Sequence, residues 1–269
     1  MPPIAPRPAA TVMLLRDAPT GLEVFMLRRN DALEFSPGAH VFPGGAVDPA
    51  DVAPAIAGVC RGRTDTDASV QLEVDSGGLG YWVAAIRECF EEAGVLLARR
   101  ADGTTVSLPD PLRRAVIADE LSLADLCRDE GLELATNEVH YFGHWITPVG
   151  PPRRYDTRFF VTIAPVEQDA AHDHGEAVGS EWIRPEEALE RGAMGSIGLI
   201  EPTLRSLSAL TRFDGAGDVV SSVTSAVADD GTVAMAAETE GRRVRLPFDD
   251  SSGPPYPRGA TEPVGGREW

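Results

Sequence analysis

Three glutamates carry the clearest chemistry in the sequence. In YWVAAIRECFEEAGV (81–95), Glu88, Glu91 and Glu92 stand at i, i+3 and i+4, so on a helix they share one face. Trp82, Ala85, Ile86, Cys89 and Ala93 form a narrow apolar stripe on the opposite side, the face of such a helix that meets a core. Like charges at these spacings cost roughly 0.2–0.5 kcal/mol per pair. Gly94, the expected C-terminal cap, also sets them against the negative end of the helix dipole. A bound divalent cation offsets that repulsion, with Arg87 orienting one carboxylate. An oxygen-only donor set favours Mg²⁺ or Mn²⁺ over zinc. The competing reading is a solvated acidic face, the ordinary fate of paired glutamates on an arbitrary helix.

A second group is basic. Arg153, Arg154 and Arg158 flank Tyr155 and Asp156, and guanidinium forks suit phosphate. The same arginines also serve as a strand-edge solubility device or as partners of surface acids. His40 precedes the VFPGG turn, within reach of a pocket there, although a lone strand histidine is more often structural. His172 and His174 sit in the acidic loop DAAHDHGE with Asp173 and Glu176, where H-x-H is more often solvated than metal-bound. Phe159 and Phe160 are neighbours in a strand and must face opposite ways.

Several elements must position these groups. Residues 10–29 read as a hairpin turning at Ala18–Gly21, followed by a strand into the glycine turn of SPGAHVFPGG (36–45). The stretch 51–80 has no sustained period and is expected to be a surface insertion. Two short helices are expected in 110–131, the second capped by Ser122, then strands at 140–148, 155–165 and 179–183. A helix opened by Pro185 and another over 201–211 follow. This mixture lacks regular strand–helix alternation, so the expected class is α+β with a mixed sheet between helices. The expected domain spans 10–213, with a flexible segment 1–9, an insertion at about 52–80 and a loosely packed extension 214–269.

Composition narrows the chemistry. The 269 residues carry a net charge of −18, and all 24 basic residues are arginine. Without lysine there is no Schiff-base or P-loop chemistry, and so acidic a chain is a poor partner for nucleic acid. Three cysteines do not make a disulfide framework, and no apolar run is long enough to span a membrane, so a cytoplasmic protein is expected.

Arg87 to Val95 meets the pattern R-E-U-x-E-E-x-G-U (U apolar) in full, after a Gly-Gly turn. This closely resembles the second half of the Nudix box. In the first half, Gly45 plus five residues reaches Asp51, where the family usually has Glu. From there 35 residues intervene before Arg87 where the pattern has seven, 28 more. FSPGAHVFPGG (35–45) and WITP…RRYDTRFF (145–160) further resemble the peroxisomal coenzyme A diphosphatase-like subgroup, which carries such an insertion. The resemblance runs over about 11–210 and implies a Nudix fold. It implies that Glu88, Glu91, Glu92 and the carbonyl of Gly45 bind one to three Mg²⁺ or Mn²⁺ ions, and that Glu91, Glu92 or Glu176 accepts a proton from water. The implied substrate is a nucleoside diphosphate linked to another moiety, in this subgroup coenzyme A or its acyl derivative. ADP-ribose, NADH and nucleotide sugars are the rivals within the class, and a non-hydrolytic nucleotide sensor is the rival outside it. A homodimer built through the insertion or the tail is compatible with either activity.

Overall fold

Strand alternation organises the molecule. A computed structural model describes residues 4–32, 36–147, 149–173 and 175–225, and the backbone of 243–245. β1 (Arg7–Ala18) and β2 (Gly21–Arg29) form the expected hairpin around Pro19 and Thr20. Val12 and Leu14 enter one core while Met13 and Leu15 enter another, and all four are fully buried. The sheet is therefore covered on both faces.

β3 (Ala39–Val41) and β4 (Gly44–Ala46) come next, then a 3-10 turn at Pro49–Val52 and the helices α1 (Pro54–Ala57), α2 (Asp65–Leu72) and α3 (Leu79–Ala93). β5 (Ala98–Arg100), α4 (Asp110–Ile117), α5 (Leu123–Glu130) and β6 (Leu132–Leu134) lead to the long strands β7 (His140–Ile146) and β8 (Tyr155–Ile163). β9 (Ala177–Ile183), α6 (Pro185–Ala193), β10 (Gly198–Leu199), α7 (Glu201–Leu210), α8 (Ala216–Ser225) and β11 (Arg243–Arg245) follow. The main sheet runs β10-β3-β2-β1-β8-β7-β11, with β4 beside the first half of β1 and β9 beside β2. β1 pairs parallel with β8 from Arg7↔Tyr155 to Leu15↔Ile163, and β10 pairs parallel with β3, so the sheet is mixed and the class is α+β. Trp82, Ile86 and Phe90 of α3 pack on one face with Val12, Leu14 and Phe160. Leu189, Leu207 and Val219 of α6, α7 and α8 pack on the other with Met13, Met26 and Phe159.

Two expectations need correction. The insertion is not a bare surface loop: Ile56, Ala68 and Leu72 are buried in the core beneath α3. Thr64 caps α2, its hydroxyl accepting the Asp67 N–H at 3.1 Å while the Asp67 carboxylate accepts the Thr64 N–H. Arg63 then lies 4.2 Å from the centre of the Trp82 ring. A four-residue helix and an eight-residue helix with little amphipathic character leave no readable period in 51–80. The packed unit also continues past residue 213, because Ala216, Val219 and Val223 of α8 are buried against the sheet. Residues 226–242 and 246–269 of the expected extension lie outside the described residues.

Candidate active site

α3 presents its glutamates because its other side is committed to the core. Trp82, Ala85, Ile86, Cys89 and Ala93 are all fully buried. Gly94 ends the helix at φ 71°, a left-handed conformation suited to glycine, with its N–H on the Phe90 carbonyl. Facing the helix, the Gly44 N–H donates to Glu92 Oε2 at 2.8 Å. A Cβ on Gly45 would stand 2.3 Å from Glu88 Oε1, so the close approach of backbone to carboxylate requires glycine.

Arg87 binds these pieces together. Its Nε and Nη2 donate to the two oxygens of Asp51 at 3.0 Å each, Nη2 also to the Ala46 carbonyl at 2.9 Å, and Nη1 to Glu88 Oε1 at 2.9 Å and Glu91 Oε2 at 3.3 Å. Asp51 is 2% exposed and also accepts the Asp48 N–H. The 35 intervening residues are thus looped out between two partners of one bidentate ion pair. Asp51 is a residue whose part the sequence left open, and its structural role is to anchor Arg87.

One guanidinium faces Asp51, Glu88 and Glu91, while Glu92 has the Gly44 N–H. Burial pushes the Glu88 carboxyl up to about 7 and Glu91 upward. Glu92 is driven well above the usual carboxylate range by burial first and the Glu88 charge second, with Glu176 adding to it and the Gly44 N–H opposing. Among the described residues no three acidic, histidine or cysteine side chains are grouped so as to hold a metal ion as they stand: Glu88 and Glu91 turn toward Arg87 and Glu92 toward Gly44. In charge and donor chemistry the set nevertheless fits a divalent cation, which would offset the uncompensated carboxylates.

The end of α3 has a cation that the sequence did not reveal. Arg113 on α4 donates from Nε and Nη2 to the Glu91 carbonyl at 3.0 and 2.9 Å, opposing the negative end of the helix dipole. Its Nη2 also reaches the Ala171 carbonyl at 3.1 Å.

The remaining expected residues divide. Glu176, beside β9, is near enough for its charge to be felt at Glu92. His40 shares the face of Phe42, which belongs to the core opposite α3. It lies 3.6 Å from Glu181, with burial lowering its pKa, so it belongs to the other layer and not to the glutamate face. Arg153 is exposed in the β7–β8 loop. Arg154 donates to the Thr147 and Ile4 carbonyls, and Arg158, 4% exposed, to Asp156 and the Leu72 carbonyl. The structure does not join these three to the glutamates by any hydrogen bond among the described residues. His172 bonds Ser180 through Nδ1, and His174 lies outside the described residues. Phe159 and Phe160 enter opposite cores.

A carboxylate helix behind a Gly-Gly turn on a mixed sheet between helical layers defines a class, and the comparisons agree. Residues 65–210 match the family described as the NUDT19 Nudix domain, and the chain belongs to the Nudix hydrolases. The match begins at α2, so α2 is part of the family's domain. The chain is 30% identical over 264 residues to the acyl-coenzyme A diphosphatase NUDT19 of Gallus gallus, covering 79% of this chain and 70% of that protein. It is 27% identical over 260 residues to the same-named protein of Homo sapiens, covering 81% of this chain and 65% of that one. A crystal structure of a Nudix hydrolase from Alicyclobacillus acidocaldarius superposes with TM-score 0.69 at 28% identity, over 81% of this chain and 97% of the other.

Proposed function

We propose that this Nudix hydrolase cleaves the pyrophosphate of coenzyme A or acyl-coenzyme A, giving 3′,5′-ADP and (acyl) 4′-phosphopantetheine. The observation that carries the reading is the surplus of buried carboxylate around one arginine beside the Gly-Gly turn. The names of the chicken and human relatives support the substrate. Glu88, Glu91, Glu92 and the Gly45 carbonyl are the groups that would hold Mg²⁺ or Mn²⁺. When bound, the cation neutralises pyrophosphate charge and acidifies water. Arg87 keeps the Glu88 and Glu91 carboxylates oriented, and Asp51 keeps Arg87 in place. Water attacks one phosphorus, the bridging oxygen leaves with the other phosphate, and the proton goes to Glu176. Glu176 is favoured over Glu91 and Glu92 because these two are engaged by Arg87 and Gly44.

A net charge of −18 suits a small ligand admitted through a cation better than nucleic acid. Cys60, Cys89 and Cys127 are free, as suits a reducing cytoplasm. Among the described residues no helix is long and apolar enough to cross a membrane.

The test is turnover of coenzyme A, acyl-coenzyme A, ADP-ribose, NADH and nucleotide sugars with Mg²⁺ or Mn²⁺. Coenzyme A or its acyl form is expected to have the highest kcat/KM, and Glu92→Gln to lower it by more than about a hundred-fold. Preference for another diphosphate overturns the substrate. Nucleotide binding without turnover of any of them points to a sensor.

A further inference from the structure

The segment between β8 and β9 carries Glu176, and it is fastened to the carboxylate end of α3 at several points. Gln168 is 9% exposed, and its side-chain amide pairs with both backbone groups of Leu96, accepting from the N–H at 2.8 Å and donating to the carbonyl at 2.9 Å. The Ala171 N–H donates to the Ala93 carbonyl, one of the last of α3. Arg113 closes the arrangement, since one guanidinium holds the carbonyl of Glu91 on the helix and that of Ala171 on the segment. A Cβ on Gly94 would come 2.9 Å from Arg113 Nη1, so the glycine at the helix end also leaves room for the fork. Asp173 then turns the chain, accepting the Glu176 and Ala177 N–H groups, and the Glu176 carbonyl accepts the Asn30 N–H at the end of β2. The Glu176 backbone is thereby tied to the end of β2 and to the segment fastened on α3, with its side chain exposed.

We propose that Arg113 is a positioning residue, which by holding the Glu91 and Ala171 carbonyls in one fork sets Glu176 at a fixed distance from the carboxylates of α3. The physical reason is planarity. A guanidinium presents donors in a rigid fork, so two carbonyls bonded to it cannot move apart independently, whereas the single ammonium of lysine holds them loosely. The proposal rests on the reading that Glu176 accepts the proton from the attacking water. A base displaced by even an ångström loses much of its effect.

The experiment is a double-mutant cycle in the full chain, with Arg113→Gln, Glu176→Gln and their combination, plus Arg113→Lys, assayed on coenzyme A with saturating Mg²⁺. Arg113→Gln is expected to lower kcat by about ten- to a hundred-fold with KM little changed. In the Glu176→Gln background the same change is expected to cost less than about two-fold. Arg113→Lys should recover part of the loss. Hydrogen exchange supplies a readout independent of turnover: the Ala171 amide should exchange faster in Arg113→Gln, while the Val12 amide, bonded to the Pro43 carbonyl on β1, should not. Additive losses, or equal acceleration at both amides, would overturn the positioning role and leave a merely structural one. Glu176→Gln turning over at the parent rate would overturn the base assignment itself, and the proposal with it.

Discussion

Two arginines, each held by a buried or half-buried aspartate, teach opposite lessons. Arg87 meets Asp51, Glu88 and Glu91, so the carboxylates outnumber it and the surplus lies against a glycine turn. Arg158 meets Asp156, which also pairs with His144, and its fork turns inward to the Leu72 carbonyl with Tyr81 5.5 Å away. The first cluster is unbalanced and calls for a cation from outside. The second is nearer to balance: Arg158 is paired with Asp156 and turned toward the Leu72 carbonyl, with its buried Nε left without a hydrogen-bond partner. Type and proximity are alike in the two; the balance of charge distinguishes them.

The sharpest way to break this contrast is to remove Asp51. Asp51→Ala leaves Arg87 without its bidentate partner and is expected to cost about 3–5 kcal/mol, read by chemical denaturation, with a parallel fall in kcat. A loss below about 1 kcal/mol with unchanged turnover, as for an exposed pair, would show that the anchor is idle. Arg158→Gln should cost less, about 1.5–3 kcal/mol for the lost charged hydrogen bonds, since Asp156 keeps His144 as a partner, and KM for a diphosphate substrate should stay within about two-fold. A ten-fold rise in KM, on the order of a lost charged hydrogen bond, would make Arg158 a substrate ligand after all.

These cases also show what sequence carries. Glu88, Glu91 and Glu92 were legible because helical spacing alone places them on one face. Arg158 shares a strand face with Phe160, and His40 with Phe42, so their inward directions are latent in the alternation, although a charged or titratable side chain at such a position fits a ligand site equally well. The Asp51–Arg87 pair spans 36 positions and the Arg113–Glu91 contact 22, and no local period encodes either. Such contacts depend on how loops close, which composition does not record.

The surplus at α3 has a pH signature. Glu88, Glu91 and Glu92 have carboxyl pKa values raised by burial, Glu88 to about 7. A raised acid contributes stability that is fully present below its unfolded pKa and lost as pH rises through the folded value. Metal-free protein should therefore lose stability from Glu88 between about pH 4.5 and about 7, with Glu91 and Glu92 acting in the same direction. His40 and His140, lowered by burial, act in the opposite sense, so the quantity to follow is the difference in Tm between Mg²⁺-loaded and metal-free protein. That difference should widen as pH rises through this window and shrink in Glu92→Gln. A difference independent of pH would mean that the carboxylates are already compensated within the chain.

The smallest expected effect tests whether the insertion between Asp51 and Arg87 is a spacer or a lever. Thr64→Ala removes the hydroxyl that caps α2 and should cost about 1 kcal/mol. Turnover should not change, because α3 takes its own start from the neighbouring carboxylate: Asp65 accepts the Gly77 and Leu79 N–H groups at 3.0 Å each. The carboxylates lie more than two turns beyond Leu79, past a stripe of α3 side chains fixed by the core. Fraying at the start of α2 reaches α3 only at its first turn, through Asp65. A fall in kcat approaching that of Asp51→Ala, measured where both proteins remain folded, would show that the insertion transmits strain to the site.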